Sequence, residues 1–296
     1  MASIGLPKGL FYFEHHILWE KFFENLGCNV ITSQDTNKQI LDYGVKCCSN
    51  ETCLPVKVFH GHVYSLKNIV DYVFIPRYTS LDKNEYTCPK FCGLPDMAIL
   101  NLKRQVNVLE VRIHADMFPS ETFDSLIQIS RTLNIRYTDL VEAFKDAGKT
   151  FDAYIQKIHK ATQYRKSLEN IKNTISVLGH PYMIYDSYLS MNLIDKLTKR
   201  GITVHTPRDI DHETKRINAY PFQGKVFWDA GFELLGSAFT FAKDSNIKGL
   251  IYLTPFACGV DAFIMEFIER GIKSHYNIPL NRSLSIHYYI LHDKLA

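Results

Sequence analysis

Residues 3–32, SIGLPKGLFYFEHHILWEKFFENLGCNVIT, decide how the fold is read. The stretch begins with a short apolar run that stops at the turn residues Pro7, Lys8 and Gly9. Phe11, Leu18 and Phe22, with Tyr12, Trp19, Phe23 and Leu26, then recur at three- and four-residue steps, the spacing of one helix face. Gly27 is a natural C-terminal stop, and residues 28–33, CNVITS, have the composition of a strand. Strand, helix and strand in immediate succession make a βαβ unit, because parallel strands need a crossover between them.

The same order continues outward. DTNKQILDYGVKCC (35–48) reads as a helix capped by Asp35 or Thr36. LPVKVFHGHVYSLK (54–67) is another, with Val56, Phe59, Val63 and Leu66 on one face. VDYVFIP (70–76) is a buried strand and VNVLEVRI (106–113) a further one. The second half repeats the scheme: ISVLGHP (175–181) parallels SIGLPKG, and SYLSMNLIDKLTKRG (187–201) is a helix closed by Gly201. ITVHTP, AGFELLGSAFTFAKDS, GLIYLTP, VDAFIMEFIERG and NIPLNRSLSI then alternate as strand and helix. The expected class is α/β, with two Rossmann-like (flavodoxin-like) parallel-sheet domains at 1–119 and 174–296, joined by a helical segment at 120–173. In such sheets ligands bind beyond the carboxyl ends of the strands.

Composition removes several alternatives. The 34 basic and 31 acidic residues nearly balance at +3, which gives no case for nucleic acid. The start MASIGLPKG has no basic segment followed by an apolar one, as a secretory signal would. The most apolar window, GLIYLTPFACGVDAFIMEFI (249–268), contains Pro255, Asp261 and Glu266 and makes a poor membrane span. The expectation is a cytoplasmic protein. Seven cysteines, an odd number in 296 residues, do not make a disulfide scaffold. Clustered cysteines in a reducing compartment point to metal or catalysis; otherwise each is a small buried hydrophobe.

Topology ranks these cysteines. Cys88 lies in the loop after VDYVFIP, and Cys258 in the loop after GLIYLTP, at corresponding places in the two halves. Cys53 precedes Leu54-Pro55 and so sits at a helix N-terminus, where the dipole favours a thiolate. All three are expected to face one cleft. Gaps of 35 and 170 residues match no compact zinc-finger or ferredoxin motif. Three thiolates from separate loops would instead hold a 4Fe–4S cluster and leave one iron open; structural zinc is the other reading. Cys92 is a fourth ligand, a neighbouring thiol or a core residue. Cys47 and Cys48 point two ways from a helix, so one of them can face Cys53, and Cys28 reads as structural.

Other candidates are weighed in the same way. His60 and His62 are two apart on a helix, so they point to different faces, solvated or packed. His15 or His16, early in the first helix, faces the site or packs, and His180 follows a strand. Lys57 and Arg77, beside the cysteine loops, stabilise thiolates or a phosphate unless solvated; Glu233 projects inward from the helix before the last cysteine loop. GLPKG lacks P-loop spacing and reads as a tight turn.

Residues 4–45, CLPVKVFHGHVYSLK, PRYTSLDKNEYTCPKFCGLPDM, LGHPYMIYD and TPFACGVDAF together resemble the acyl-CoA dehydratase activase-related family. Its members are similar to the iron–sulfur subunits of 2-hydroxyacyl-CoA dehydratases and to double-cubane-cluster proteins. The resemblance implies a 4Fe–4S cluster held by Cys53, Cys88 and Cys258, with a double-cubane 8Fe–9S cluster as the alternative. It also implies a separate ATP-hydrolysing activator of the actin/Hsp70-like fold as electron donor, a small-molecule or acyl-CoA substrate, and pairing into a homo- or heterodimer. The chain departs from the family at Cys47-Cys48, at Cys92 and in the final LSIHYYILHDKLA (284–296).

Overall fold

The structure is a computed structural model that describes residues 1–82, 85–115, 120–168, 173–219 and 228–284. The chain divides into two compact units, Met1–Lys157 and Ile158–Ala296. The first runs β1 (Ser3–Leu6), α1 (Tyr12–Asn25), β2 (Asn29–Thr32), α2 (Lys38–Cys47), α3 (Leu54–Leu66) and β3 (Tyr72–Phe74). It continues with β4 (Arg77–Asp82), β5 (Glu85–Tyr86), α4 (Pro89–Cys92), α5 (Leu94–Asn101), β6 (Val108–Leu109), β7 (Arg112–His114), α6 (Ser120–Leu133) and α7 (Tyr137–Leu168). The main sheet has the order β2-β1-β3-β6 and is parallel throughout.

Pro76 interrupts the third strand because it offers no N–H. Pairing resumes on either side of it, with Ile75 N–H donating to the Leu109 carbonyl and Arg77 N–H to that of Val111. Beyond the break, β4 forms a small sheet, antiparallel to β5 and parallel to β7. The single strand expected at 106–113 is therefore two short ones, β6 and β7. Ile4, Leu6, Trp19, Phe22, Phe23 and Phe74 form the core of this unit. Leu126 and Ile129 of α6, with Leu140, Ala143 and Ala147 of α7, belong to that same core.

The second unit runs β8 (Thr174–Leu178), α8 (Pro181–Ile184), α9 (Leu193–Thr198), β9 (Thr203–His205), a 3₁₀ turn at Pro207–Asp209, α10 (His212–Asn218), α11 (Asp229–Lys243), β10 (Ile247–Thr254), α12 (Gly259–His275) and β11 (Leu280–Leu284). Its parallel sheet has the order β11-β10-β8-β9. Numbered in chain order within each four-stranded sheet, both run 2-1-3-4, the flavodoxin-like order. The two Rossmann-like parallel-sheet units read from the sequence are thus present. The helix expected over 187–201 shrinks to α9, because Met191 and Asn192 adopt left-handed φ of 53° and 55° and the Asp186 carboxylate caps the amides of Tyr188 and Leu189. The divergent 284–296 stretch lies outside the described residues after Leu284.

The repeat extends to the helices that precede the third strand. A Cβ on Gly44 of α2 would overlap the Lys57 carbonyl, and one on Gly61 of α3 would overlap the Ile40 carbonyl. In the second unit a Cβ on Gly236 of α11 would overlap the Lys215 carbonyl of α10. Both helix pairs therefore pack backbone to backbone, which glycine alone permits. Among the described residues no helix is long and apolar enough to cross a membrane.

Candidate metal centre

In the first unit, Cys53 and Cys88 occupy equivalent local settings. Cys53 is the N-cap of α3, with Pro55 inside the first turn, and Cys88 is the N-cap of α4, directly before Pro89. Both have extended backbone, ψ 150° and 134°; Pro89 directly after Cys88 imposes it there, whereas Leu54 separates Cys53 from Pro55. The β4–β5 hairpin delivers Cys88: Thr87 N–H donates to the Thr79 carbonyl and Thr87 Oγ1 to that of Tyr78. Cys48 closes α2 as its C-cap, at the start of the short loop into α3. Lys57 Nζ donates to the Asn50 carbonyl of that loop at 3.0 Å, which answers where this candidate side chain goes.

The sulfur atoms act on one another. Burial, then the charges of Cys47 and Cys53, push the Cys48 thiol up to about 12, against Lys57 and a hydrogen bond from Asn101. Burial also raises the Cys88 thiol and Cys53 adds to the rise, while the Lys90 backbone N–H and ammonium oppose it. Such thiols keep their protons at neutral pH unless a cation replaces them. Among the described residues of this unit, no three cysteine sulfurs lie within 4.8 Å of one another. A single tetrahedral zinc, with Zn–S near 2.3 Å, needs them roughly 3.8 Å apart. A polynuclear cluster, with each cysteine on its own iron, tolerates wider spacing. Soft sulfur donors at Cys48, Cys53 and Cys88, of which Cys53 is buried and the others half-buried, are of the type that binds thiophilic metals.

The remaining cysteines separate clearly. Cys48 Sγ accepts from Asn101 Nδ2 at 3.8 Å, and Cys47, the last residue of α2, is half-buried. The Cys92 sulfur accepts from Thr79 Oγ1 at 3.4 Å and its carbonyl from Arg77 Nη1 at 2.5 Å. Arg77 also pairs with Asp96 at 2.8 Å and Glu110 at 2.9 Å, so it clamps the α4–α5 corner from inside. Cys28 packs against the core of the unit.

The histidines are engaged. His62 is fully buried, with Ser33 Oγ on Nδ1 and Thr36 Oγ1 on Nε2, both at 2.9 Å. His60, also fully buried, has Nδ1 2.8 Å from the Val56 carbonyl and Nε2 3.1 Å from Asn101 Nδ2. His15 Nδ1 meets the Tyr78 hydroxyl at 2.8 Å, and burial lowers its pKa to about 4. His16 instead lines an apolar cavity of about 40 Å³ at the carboxyl ends of β1 and β3, with Leu6, Trp19, Phe59, Phe74 and Leu94. That crevice is the topological switch point of the sheet.

In the second unit, Cys258 is the N-cap of α12, in the loop that follows the third strand, β10. Ala257 before it has a left-handed φ of 61°, a strained setting for a residue with a side chain. His180, the N-cap of α8, places Nε2 3.2 Å from Oδ1 of Asp261. The Tyr252 hydroxyl donates to the same oxygen at 2.6 Å. Asp261 is 1% exposed and its Oδ2 has no partner. Sequence reasoning missed Tyr252 and Asp261; the signal was a lone carboxylate inside the apolar run TPFACGVDAF. Glu233 pairs with Lys215 and approaches His212 at 3.7 Å, within the α10–α11 pair.

The family described as the CoA enzyme activase uncharacterised domain (DUF2229) matches residues 3–210, a span that takes in Cys53 and Cys88 and ends before Cys258. No curated protein matches the chain.

Proposed function

The chain belongs to this CoA enzyme activase domain family, and from that premise we propose that it is an iron–sulfur protein related to 2-hydroxyacyl-CoA dehydratase subunits. Cys53 and Cys88 hold a 4Fe–4S cluster, with Cys258 as the third ligand that the resemblance implies. An ATP-hydrolysing activator of the actin/Hsp70-like fold supplies low-potential electrons in trans. The observation that supports the reading is that Cys53 and Cys88 both stand as N-caps of helices in one unit. Cys258 adds to it by capping a helix at the equivalent strand end.

When bound, such a cluster supplies one-electron chemistry and an open iron for a carbonyl or hydroxyl oxygen. The protein's part is to bury the thiolates, which disfavours further negative charge and lowers the reduction potential. Helix N-termini at Cys53 and Cys88 offset part of that cost with backbone N–H groups.

Anaerobic purification with iron, sulfide and zinc analysis tests this. Close to four irons per chain, lost in Cys53→Ser, Cys88→Ser and Cys258→Ser but kept in Cys28→Ser, is the expected result. Close to eight irons identifies the double-cubane alternative, and stoichiometric zinc without iron refutes both. ATP-dependent cluster reduction without turnover of acyl-CoA compounds would make the protein an electron relay.

A further inference from the structure

We propose that Cys48 is a further thiolate of this centre and that Asn101, aligned by His60, is its positioning residue. The inference rests on the iron–sulfur reading above; Cys48 would take the iron that the three ligands leave open, or an iron of the double-cubane alternative, and so favours electron transfer over substrate binding at iron.

The direction of one hydrogen-bond chain carries it. The Val56 carbonyl can only accept, so His60 Nδ1, 2.8 Å away, must carry the proton. A buried histidine is held neutral, and burial does lower the His60 pKa against the carbonyls of Val56 and Met97. Its Nε2 is therefore an acceptor. Asn101 must then present its amide nitrogen, not its oxygen, to Nε2 at 3.1 Å. The same nitrogen lies 3.8 Å from Cys48 Sγ, so its second N–H is directed at sulfur. Three groups in sequence thus fix a proton donor on Cys48.

A donor so placed stabilises negative charge on sulfur. A protonated thiol gains little from it. The α2–α3 glycine contact draws the two helices together, and Cys48 and Cys53 stand at the two ends of the short loop that joins them. Backbone packing and donor orientation therefore agree on Cys48 as a metal thiolate.

The test is a redox titration of the full chain, loaded anaerobically with iron and sulfide, followed by electron paramagnetic resonance. Asn101→Leu removes the donor at similar volume, and Asn101→Asp keeps the shape but turns an oxygen to the sulfur. Both are expected to hold the wild-type amount of iron at a more negative reduction potential, with the carboxylate variant shifted further. Cys48→Ser is expected to change the resonance spectrum and to lower the iron content. Wild-type potential, spectrum and iron in all three variants overturn the proposal while leaving the cluster reading intact. A wild-type chain that takes up no iron overturns both.

Discussion

Gly44 of α2 lies against the Lys57 carbonyl of α3 so closely that any side chain there would overlap it. This contact is where local sequence and the candidate centre meet, because Cys48 ends the first helix and Cys53 starts the second. Gly44→Ala is expected to cost about 2–4 kcal/mol by forcing the helices apart. Gly148, inside α7, has nothing within 4 Å of its Cβ position. Gly148→Ala is expected to stabilise by about 0.5–1 kcal/mol through helix propensity. Urea denaturation of both variants checks the opposite signs. Equal effects would refute the close-packing account.

His62 predicts a pH dependence. Burial, with the Lys8 charge, lowers its pKa to about 3, against a smaller pull from Asp35. The folded state therefore prefers neutral imidazole, and the unfolded chain takes up the proton first. Its contribution is complete above about pH 6.5 and is lost as pH falls toward 3. The full loss is on the order of 4 kcal/mol. His62→Gln should be less stable than the wild type at pH 7, and the gap should close on acidification. Denaturation curves at pH 7, 5 and 4 decide it; a gap that widens toward acid contradicts the assignment.

Tyr252 and Asp261 form a buried charged hydrogen bond in the second unit. Tyr252→Phe leaves the carboxylate with His180 alone, at an expected cost of about 1.5–3 kcal/mol. A fall in the unfolding midpoint that is absent in Tyr252→Phe/Asp261→Leu, where both polar partners are removed, would assign the loss to the stranded carboxylate. Identical losses would assign it to packing.

Arg77 meets three acceptors, the Cys92 carbonyl, Asp96 and Glu110. Asp96 is exposed, so that arm contributes little, and the half-buried Glu110 and the carbonyl carry the effect. Arg77→Met is expected to destabilise by about 1–3 kcal/mol, and Arg77→Lys to recover only part, since one ammonium cannot span the fork. Full recovery with lysine, by urea denaturation, would show that charge alone matters there.

Much was legible before any coordinates. Strand–helix alternation, with a helix face at Phe11, Leu18 and Phe22, sufficed for the α/β class, because periodicity reports which face is buried. Pro55 placed Cys53 at a helix start, a local steric fact, whereas Cys88 was read as a loop residue and the short helix α4 that it caps was not foreseen. The α9 boundary was misread, since left-handed φ at Met191 and Asn192 leaves no mark on hydrophobic spacing.

On its own, then, the chain's sequence determined the α/β class, the repeated strand–helix succession and the helix-start position of Cys53. Tertiary structure alone decided which polar atoms meet: Asn101 with His60, Thr36 with His62, Tyr252 with Asp261. The reason is physical. Burial follows from the sum of apolar area along a face and survives small shifts, whereas a hydrogen bond depends on direction and on tenths of an ångström between residues distant in sequence.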